Sequence, residues 1–276
     1  MAGAEVALAL EIARCPEVER ARRLVSHPCS SIVRLQQEDP GTFQIPEGWA
    51  GNLSAARVVF LSSNPSISED GADHRAGSAE RYPRAAWADH YIADFMTRRF
   101  APDAGHTDGD RFICQDGTFA PQAVRFWTLV RRRAEELLGY PPDPDRDYVM
   151  TEIVHCKSKG EVGVKSAAAR CAQRYLDRVV ALSDAQLIVV LGAKARDRVR
   201  PILGLGEEFG SQSSVGDERA NVAIRDLGGA KRALCFLWHP TSMTKAPRDF
   251  PRSYPTLLPA LRAVALGELT VERLSG

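Results

Sequence analysis

The sequence predicts an α/β fold, a three-layer sandwich in which a central four-stranded parallel sheet is flanked by helices. Three observations carry that expectation. Four short apolar runs, RVVFLS (57–62), YVMTEIV (148–154), LIVVLG (187–192) and ALCFLW (233–238), are nearly continuous in hydrophobicity, as strands covered on both faces are. Stretches of helical periodicity lie between them, the pattern of a parallel sheet. The 276 residues, 44% hydrophobic and 26% charged, contain no Pro/Gly/Ser linker, so residues 1–276 read as one domain with a full core.

Taken in order, the first strand ends in Asn64-Pro65, after which residues 66–120 are irregular and polar and are expected to form a long surface loop. AVRFWTLVRRRAEELLG (123–139) follows Pro121, spaces its apolar residues as a helix does and stops on Gly139. The second strand leads to AAARCAQRYLDRVVAL (167–182), a helix with Ser166 as its expected N-cap. The third strand meets its helix at Gly192 and Lys194. Residues 204–230 are expected to be a second long loop, the fourth strand runs into His239-Pro240, and YPTLLPALRAVALGEL (254–269) closes the chain as a helix. Ligands of parallel sheets bind at the carboxyl ends of the strands. Asn64-Pro65, Glu152 to Cys156, Gly192 to Lys194 and His239-Pro240 all fall there.

The net charge of +1 is unevenly distributed. Residues 157–178 hold six Lys/Arg against two acids, 194–200 four against one, and 231–252 five against one. These runs are either one basic sheet edge suited to a polyanion or solvated helix faces. No apolar run approaches the roughly 20 residues that span a bilayer. The N-terminus lacks a basic flank and carries Glu5 and Glu11, unlike a signal peptide. A cytoplasmic monomer without membrane contact is the expectation. Neither Gly-x-Ser-x-Gly nor a Gly-rich phosphate loop is present, which counts against an α/β hydrolase or a nucleotide-binding enzyme.

Two strands that each surface into an X-Pro turn focus attention on the X residues. Pro65 disfavours the helical region for Asn64 and holds the turn rigid. A carboxamide fixed there orients water or a hydroxyl through donor and acceptor together. A neutral His239 at the matching position can donate to a developing oxyanion. The competing reading makes them an ordinary Asn-Pro turn and a surface histidine.

The stretch SSNPS (62–66), paired with the late HPTSM (239–243), resembles the first and second motifs of the uracil-DNA glycosylase superfamily. TEIVHCKSK (151–159) and the Cys171 segment are similar to the corresponding part of its iron–sulfur members. The resemblance covers about half the chain, chiefly residues 57–70, 148–198 and 233–245. It implies a monofunctional DNA glycosylase that holds a flipped uracil or related deaminated base and hydrolyses its N-glycosidic bond with an activated water. On that template Asn64 positions the water and His239 stabilises charge on the base oxygen. Met243 wedges into the base stack. Ser63 touches the substrate, and Ser62, Ser66, Lys194, Thr241 and Ser242 hold DNA phosphates. Tyr82 stacks on the base, with Trp87 the other available ring.

Glu152 departs from the family pattern, which places an asparagine there to read the base edge. An ionised carboxylate only accepts hydrogen bonds. Either Glu152 is protonated, or the pocket favours a base with an exocyclic amine, or the side chain points elsewhere. The resemblance also implies that Cys15, Cys29, Cys156 and Cys171 ligate a [4Fe–4S] cluster, although the spacing of the first pair is wider than the family's Cys-x-x-Cys. Four thiolates also suit zinc, and buried free thiols are the plain alternative. Cys114 and Cys235 stand apart from this set. A second functional reading keeps the fold but drops the chemistry, leaving a protein that captures damaged or abasic DNA. Glu152 and the lack of an aspartate beside Pro65 favour it.

Overall fold

A computed structural model describes residues 2–68, 77–242 and 246–275. The chain begins with α1 (Ala2–Ala13), α2 (Pro16–Arg23) and α3 (Ser30–Val33), followed by β1 (Trp49–Ala50) and β2 (Val58–Ser62). Next come α4 (Asp89–Arg98), β3 (Thr107–Asp108), β4 (Arg111–Phe112), α5 (Arg125–Leu138) and β5 (Tyr148–Glu152). Then follow α6 (Val164–Ala181), β6 (Leu187–Leu191), α7 (Gly192–Leu203), β7 (Val222–Leu227) and β8 (Ala230–Leu237). The chain closes with α8 (Phe250–Ser253), α9 (Leu258–Ala265) and a 3-10 turn at Val271–Ser275.

The fold is mixed α/β around a six-stranded mixed sheet of order β1-β5-β2-β6-β8-β7. The pairs β5/β2, β2/β6 and β6/β8 are parallel, while β1/β5 and β7/β8 are antiparallel. The expected four strands therefore become six. β1 is only two residues long, and β7 is half-exposed along most of its length. Neither carries the unbroken apolar signature of a strand buried on both faces.

Alternate residues of the central strands feed two cores. Val59, Leu61, Ile188, Val190, Leu234 and Phe236 face one side, where Ile12 of α1, Val179 of α6 and Val199 of α7 pack. Val58, Phe60, Leu187, Val189, Ala233 and Cys235 face the other, against Val130 and Leu137 of α5 and Leu261 and Val264 of α9. This is the period-2 geometry of a strand, with apolar cover on both faces.

Several boundaries correct the sequence reading. α6 starts at Val164, before the expected start at residue 167, and its N-cap is Gly163 at φ +75°, not Ser166. A Cβ at position 163 would lie 2.4 Å from the backbone nitrogen of Ile32. The start of α6 and the short α3 are in backbone contact there, which only glycine permits. Within the expected loop 66–120 lie α4 and the β3–β4 hairpin, and β7 occupies part of 204–230. The closing helix covers only Leu258–Ala265.

The N-terminal helices are tied to α6 by ion pairs. Glu11 meets Arg178 at 2.6 Å and Arg174 at 3.3 Å, and Glu17 meets Arg170 at 3.1 Å. Lys157 is buried against Glu47 at 3.0 Å. Much of the basic run 157–178 is therefore matched by intramolecular carboxylates. Among the described residues no helix is long and apolar enough to cross a membrane.

Candidate functional site

The sheet ladder continues past the ends of β2 and β5. Ile153 N–H donates to Ser62 O and Val154 N–H to Ser63 O, both at 3.0 Å, and Ser158 N–H donates to Pro65 O at 3.0 Å. These bonds hold the two strand-exit loops side by side. At this edge lies a cavity of about 730 Å³, well inside the range of small-ligand pockets. Ser62 to Ser68 line it after β2, Glu152, Lys157 and Glu161 after β5, Leu191 to Ala195 after β6, and Trp238, His239, Thr241 and Ser242 after β8. Phe112, Val124, Phe126 and Trp127 add apolar and aromatic lining, and Glu47, Glu80 and Arg99 bring further charge.

Asn64 and His239 thus share one cavity, with the start of α7 also on its wall. Asn64 Nδ2 donates to Pro65 O at 2.8 Å and to Ser158 O at 3.4 Å. Carbonyls only accept, so the amide nitrogen is committed to the loops and Oδ1 is the atom left for a ligand or water. The His239 ring stacks on Phe126 with centroids 5.2 Å apart. Its Nδ1 lies 3.3 Å from Thr241 N and 2.9 Å from Thr241 Oγ1. The backbone N–H can only donate, so Nδ1 accepts and the neutral ring carries its proton on Nε2. Burial first, and the charge of Lys194 second, lower the pKa of His239 below its ordinary value and favour that neutral form.

Gly192 makes this placement possible. It sits at φ +87°, and a Cβ there would lie 2.7 Å from the Cβ of His239. Any side chain would displace the imidazole.

Glu152 is buried and on the cavity wall, so it does not point elsewhere. Removal from water, then the nearby charge of Glu47, push its pKa well above the usual carboxylate range. That direction favours the protonated form, which can donate as well as accept a hydrogen bond, against the lowering influence of Lys157 and Arg99.

Ser63 is on the cavity wall, and its hydroxyl donates to Glu161 Oε2 at 3.1 Å. Glu161 was not recognised in the sequence. It lies outside the periodic elements, and its signal is conformational: among the described residues it is the one non-glycine with positive φ, at +64°. Arg198 reaches the same Oε2 at 3.5 Å. The Glu161 side chain lines the same cavity as Asn64.

Ser62 lines the cavity with its hydroxyl buried and unpartnered. Ser66, Lys194, Thr241 and Ser242 also line it, with Ser66, Lys194 and Thr241 exposed at its mouth. Met243 lies outside the described residues.

Tyr82 is corrected. It is 1% exposed, donates its hydroxyl to Ile45 O at 3.1 Å, packs edge-on against Phe95 and is not among the cavity-lining residues. Trp87 does not line the cavity either. Of the rings that do, Phe126, Trp127 and Trp238 lie in helix and strand patterns whose core-like spacing concealed them, and Phe112 lies in the stretch read as a loop.

Cys15 and Cys29 stand at the N-caps of α2 and α3, Cys156 follows β5, and Cys171 is in α6. Although separated in sequence, they are close enough to influence one another electrostatically. After burial, the charge of Cys171, Cys15 and Cys29 raises the pKa of Cys156, and Cys15 and Cys29 do the same to Cys171. Burial is again the first cause raising Cys29, to about 11, with Cys15 next. The backbone N–H of His155 donates to Cys171 Sγ at 3.4 Å, a bond suited to a ligating sulfur. Among the described residues no three such groups converge on one point as a single ion with bonds of about 2.3 Å demands. Cys114 and Cys235 are buried and absent from this mutual influence.

No protein-family model matches the chain, and no curated protein matches it either, so the geometry and chemistry of the cavity carry the functional reading.

Proposed function

We propose that the chain is a monofunctional DNA glycosylase of the uracil-DNA glycosylase superfamily, acting on a flipped uracil or related deaminated base. The observation that carries this reading is that Asn64 and His239, on strand-exit turns far apart in sequence, line one cavity of about 730 Å³. The superfamily's parallel core and the single domain over residues 1–276 belong to the same proposal.

In the reaction the bond from C1′ to the base nitrogen breaks and its electron pair leaves with the base. His239 Nε2–H donates to the base carbonyl oxygen on which that charge accumulates, a contribution available only where the donor is already oriented. Water held by Asn64 Oδ1 adds to C1′, and its proton passes to the Glu161 carboxylate. No lysine Schiff base is invoked, so the backbone is left uncut. Ser66, Lys194, Thr241 and Ser242 contact phosphates, and one of the cavity-lining rings, not Tyr82, stacks on the base.

Cys15, Cys29, Cys156 and Cys171 would hold a [4Fe–4S] cluster, which when bound acts as a structural staple. They would join the N-terminal helices to α6 and to the loop after β5, beside a connection already made by Glu11 and Glu17.

The test is incubation with oligonucleotides carrying uracil, hypoxanthine or xanthine, followed by alkaline cleavage of abasic product. Release of at least one base is expected. If none is released while abasic DNA binds tightly, the protein is a capture protein of the same fold.

A further inference from the structure

A second cavity, of about 460 Å³, adjoins the 239–242 loop. Pro240 lines it, whereas His239, Thr241 and Ser242 line the first cavity, so the loop is a wall between the two. The same division runs along α5, where Phe126 and Trp127 line the first cavity and Arg132, Arg133 and Glu136 the second. Arg248, Asp249 and Arg252 complete the charged lining. Four guanidiniums thus meet two carboxylates, and both carboxylates are committed to the fold. Glu136 Oε2 accepts from the backbone N–H of Phe250 at 3.1 Å, and its Oε1 faces Arg133 at 2.8 Å. Asp249 accepts from the backbone N–H of Arg252 at 3.1 Å and pairs with the Arg252 guanidinium at 2.6 Å. Two positive charges are left over among the described lining residues.

Arg133 is 6% exposed, donates to Arg248 O at 2.7 Å, and has its Nε buried without a hydrogen-bond partner. Burial holds its pKa below the ordinary value. Glu136 and Asp249 oppose that, and the charges of Arg132 and Arg252 add to it. An anion in the cavity would relieve both the burial and the repulsion. Donors for one are at hand. Arg132 makes a single long ion pair, Nε to Glu136 at 3.6 Å, and Arg248 donates through Nη1 to Ser242 O. Their other guanidinium N–H groups have no partner among the described residues.

We propose that this arginine-lined cavity is a phosphate site, in which Arg132 and Arg248 grip the oxygens of a phosphate group and Arg133 backs them with buried charge. Every cation described there is an arginine, whose planar fork matches phosphate oxygens two at a time. The site is separate from Lys194, which lines the first cavity only. From Phe126 to Arg132 is six residues of α5, about 9 Å at 1.5 Å per residue. That is the length of about three stacked nucleotides at roughly 3.4 Å each. A strand with one nucleotide in the first cavity can therefore cross the 239–242 loop and lay a phosphate in the second. Through Arg248 and Ser242 O, the occupied site would also brace the loop that carries His239. This deepens the proposed function and rests on it for the strand being DNA. A free phosphate ion has the same recognition chemistry.

The test measures binding on the whole protein, so that it does not depend on cleavage. Inorganic phosphate is titrated by calorimetry at constant ionic strength, with chloride making up the balance so that general screening is held fixed. Wild type is expected to bind it saturably. Arg248→Gln and Arg132→Glu should each weaken it about tenfold or more, the scale of one hydrogen bond to a charged group. Arg132 has a side chain 70% exposed, so its variant keeps the test alive if Arg248→Gln does not fold. Lys194→Gln should bind phosphate as wild type does. A second arm follows a single-stranded decamer of ordinary bases by fluorescence anisotropy. Competition between phosphate and decamer in wild type, lost in Arg132→Glu, assigns the site to a strand phosphate, and saturable phosphate without competition assigns it to the free ion. Phosphate that does not saturate, that binds a folded Arg132→Glu as tightly as wild type, or that is lost in Lys194→Gln would overturn the proposal. If phosphate and decamer behave as stated while no base is released from any oligonucleotide, the glycosylase reading fails and this one stands. Base release by a protein that ignores phosphate has the opposite meaning.

Discussion

The imidazole of His239 stacks on the phenyl ring of Phe126, with centroids 5.2 Å apart and planes 12° from parallel. The stack fixes the plane of a ring whose Nδ1 already accepts from Thr241, so Nε2 is pre-oriented as a donor. His239→Ala should lower base release about 100-fold, the scale for one preorganised donor. Unaltered rates would remove its role.

Burial and Lys194 depress the pKa of His239 below 6.5. The native state therefore takes up this proton less readily than the unfolded chain. Its contribution to stability is complete above pH 6.5 and is lost as pH falls through the lower native value. In an NMR titration Lys194→Ala should raise the native pKa while leaving it below 6.5, because burial is the larger cause. No movement would show that the lysine charge does not reach the ring.

Glu161 holds a left-handed backbone at φ +64° that disfavours any side chain. Glu161→Gly should keep or raise the melting temperature by relieving that strain, yet lower excision about 100-fold or more, the scale for loss of a general base. Full activity in the glycine variant would show that the carboxylate takes no part.

Gly192→Ala places a methyl group 2.7 Å from the His239 Cβ at a backbone angle only glycine favours. The expected cost is about 1–3 kcal/mol, measured by denaturant unfolding, together with a fall in excision as the imidazole shifts. A neutral outcome would mean that the two loops adjust freely.

Tyr82→Phe separates core from site. Losing the hydroxyl bond to Ile45 O should cost about 1 kcal/mol and change excision by less than about twofold, since no substrate contact is lost. A large kinetic effect would return Tyr82 to the base.

Protein purified without oxygen should be brown, absorb near about 400 nm and contain iron and sulfide, as thiolate-bound clusters do. Cys156→Ser and Cys171→Ser should lose that absorbance and melt lower. Colourless, metal-free protein of unchanged stability would leave the four cysteines as buried thiols.

The elements legible in the sequence were those whose local pattern is complete in itself. The apolar runs at 57–62, 148–154, 187–192 and 233–238 each contain a strand, because full burial writes itself as continuous hydrophobicity. The helix ending at Gly139 stops there in the left-handed conformation that its glycine announces. The two-residue β1 and half-exposed β7 have no such pattern and exist only by pairing with neighbours.

The site divides in the same way. Composition and order alone placed Asn64, Glu152, Lys194 and His239 at strand ends, and hence on one edge of a parallel sheet. Only the folded chain decided that Glu152 is buried on the cavity wall while Arg99 and Lys157 pair with Glu47 and Glu80, residues brought from four separate segments. It likewise decided that Tyr82 is core, that Glu161 approaches Ser63, and that four cysteines on separate segments come within electrostatic reach of one another. Strand ends are set by nearest-neighbour pattern, whereas protonation, burial and loop convergence depend on which distant groups share a low-dielectric space.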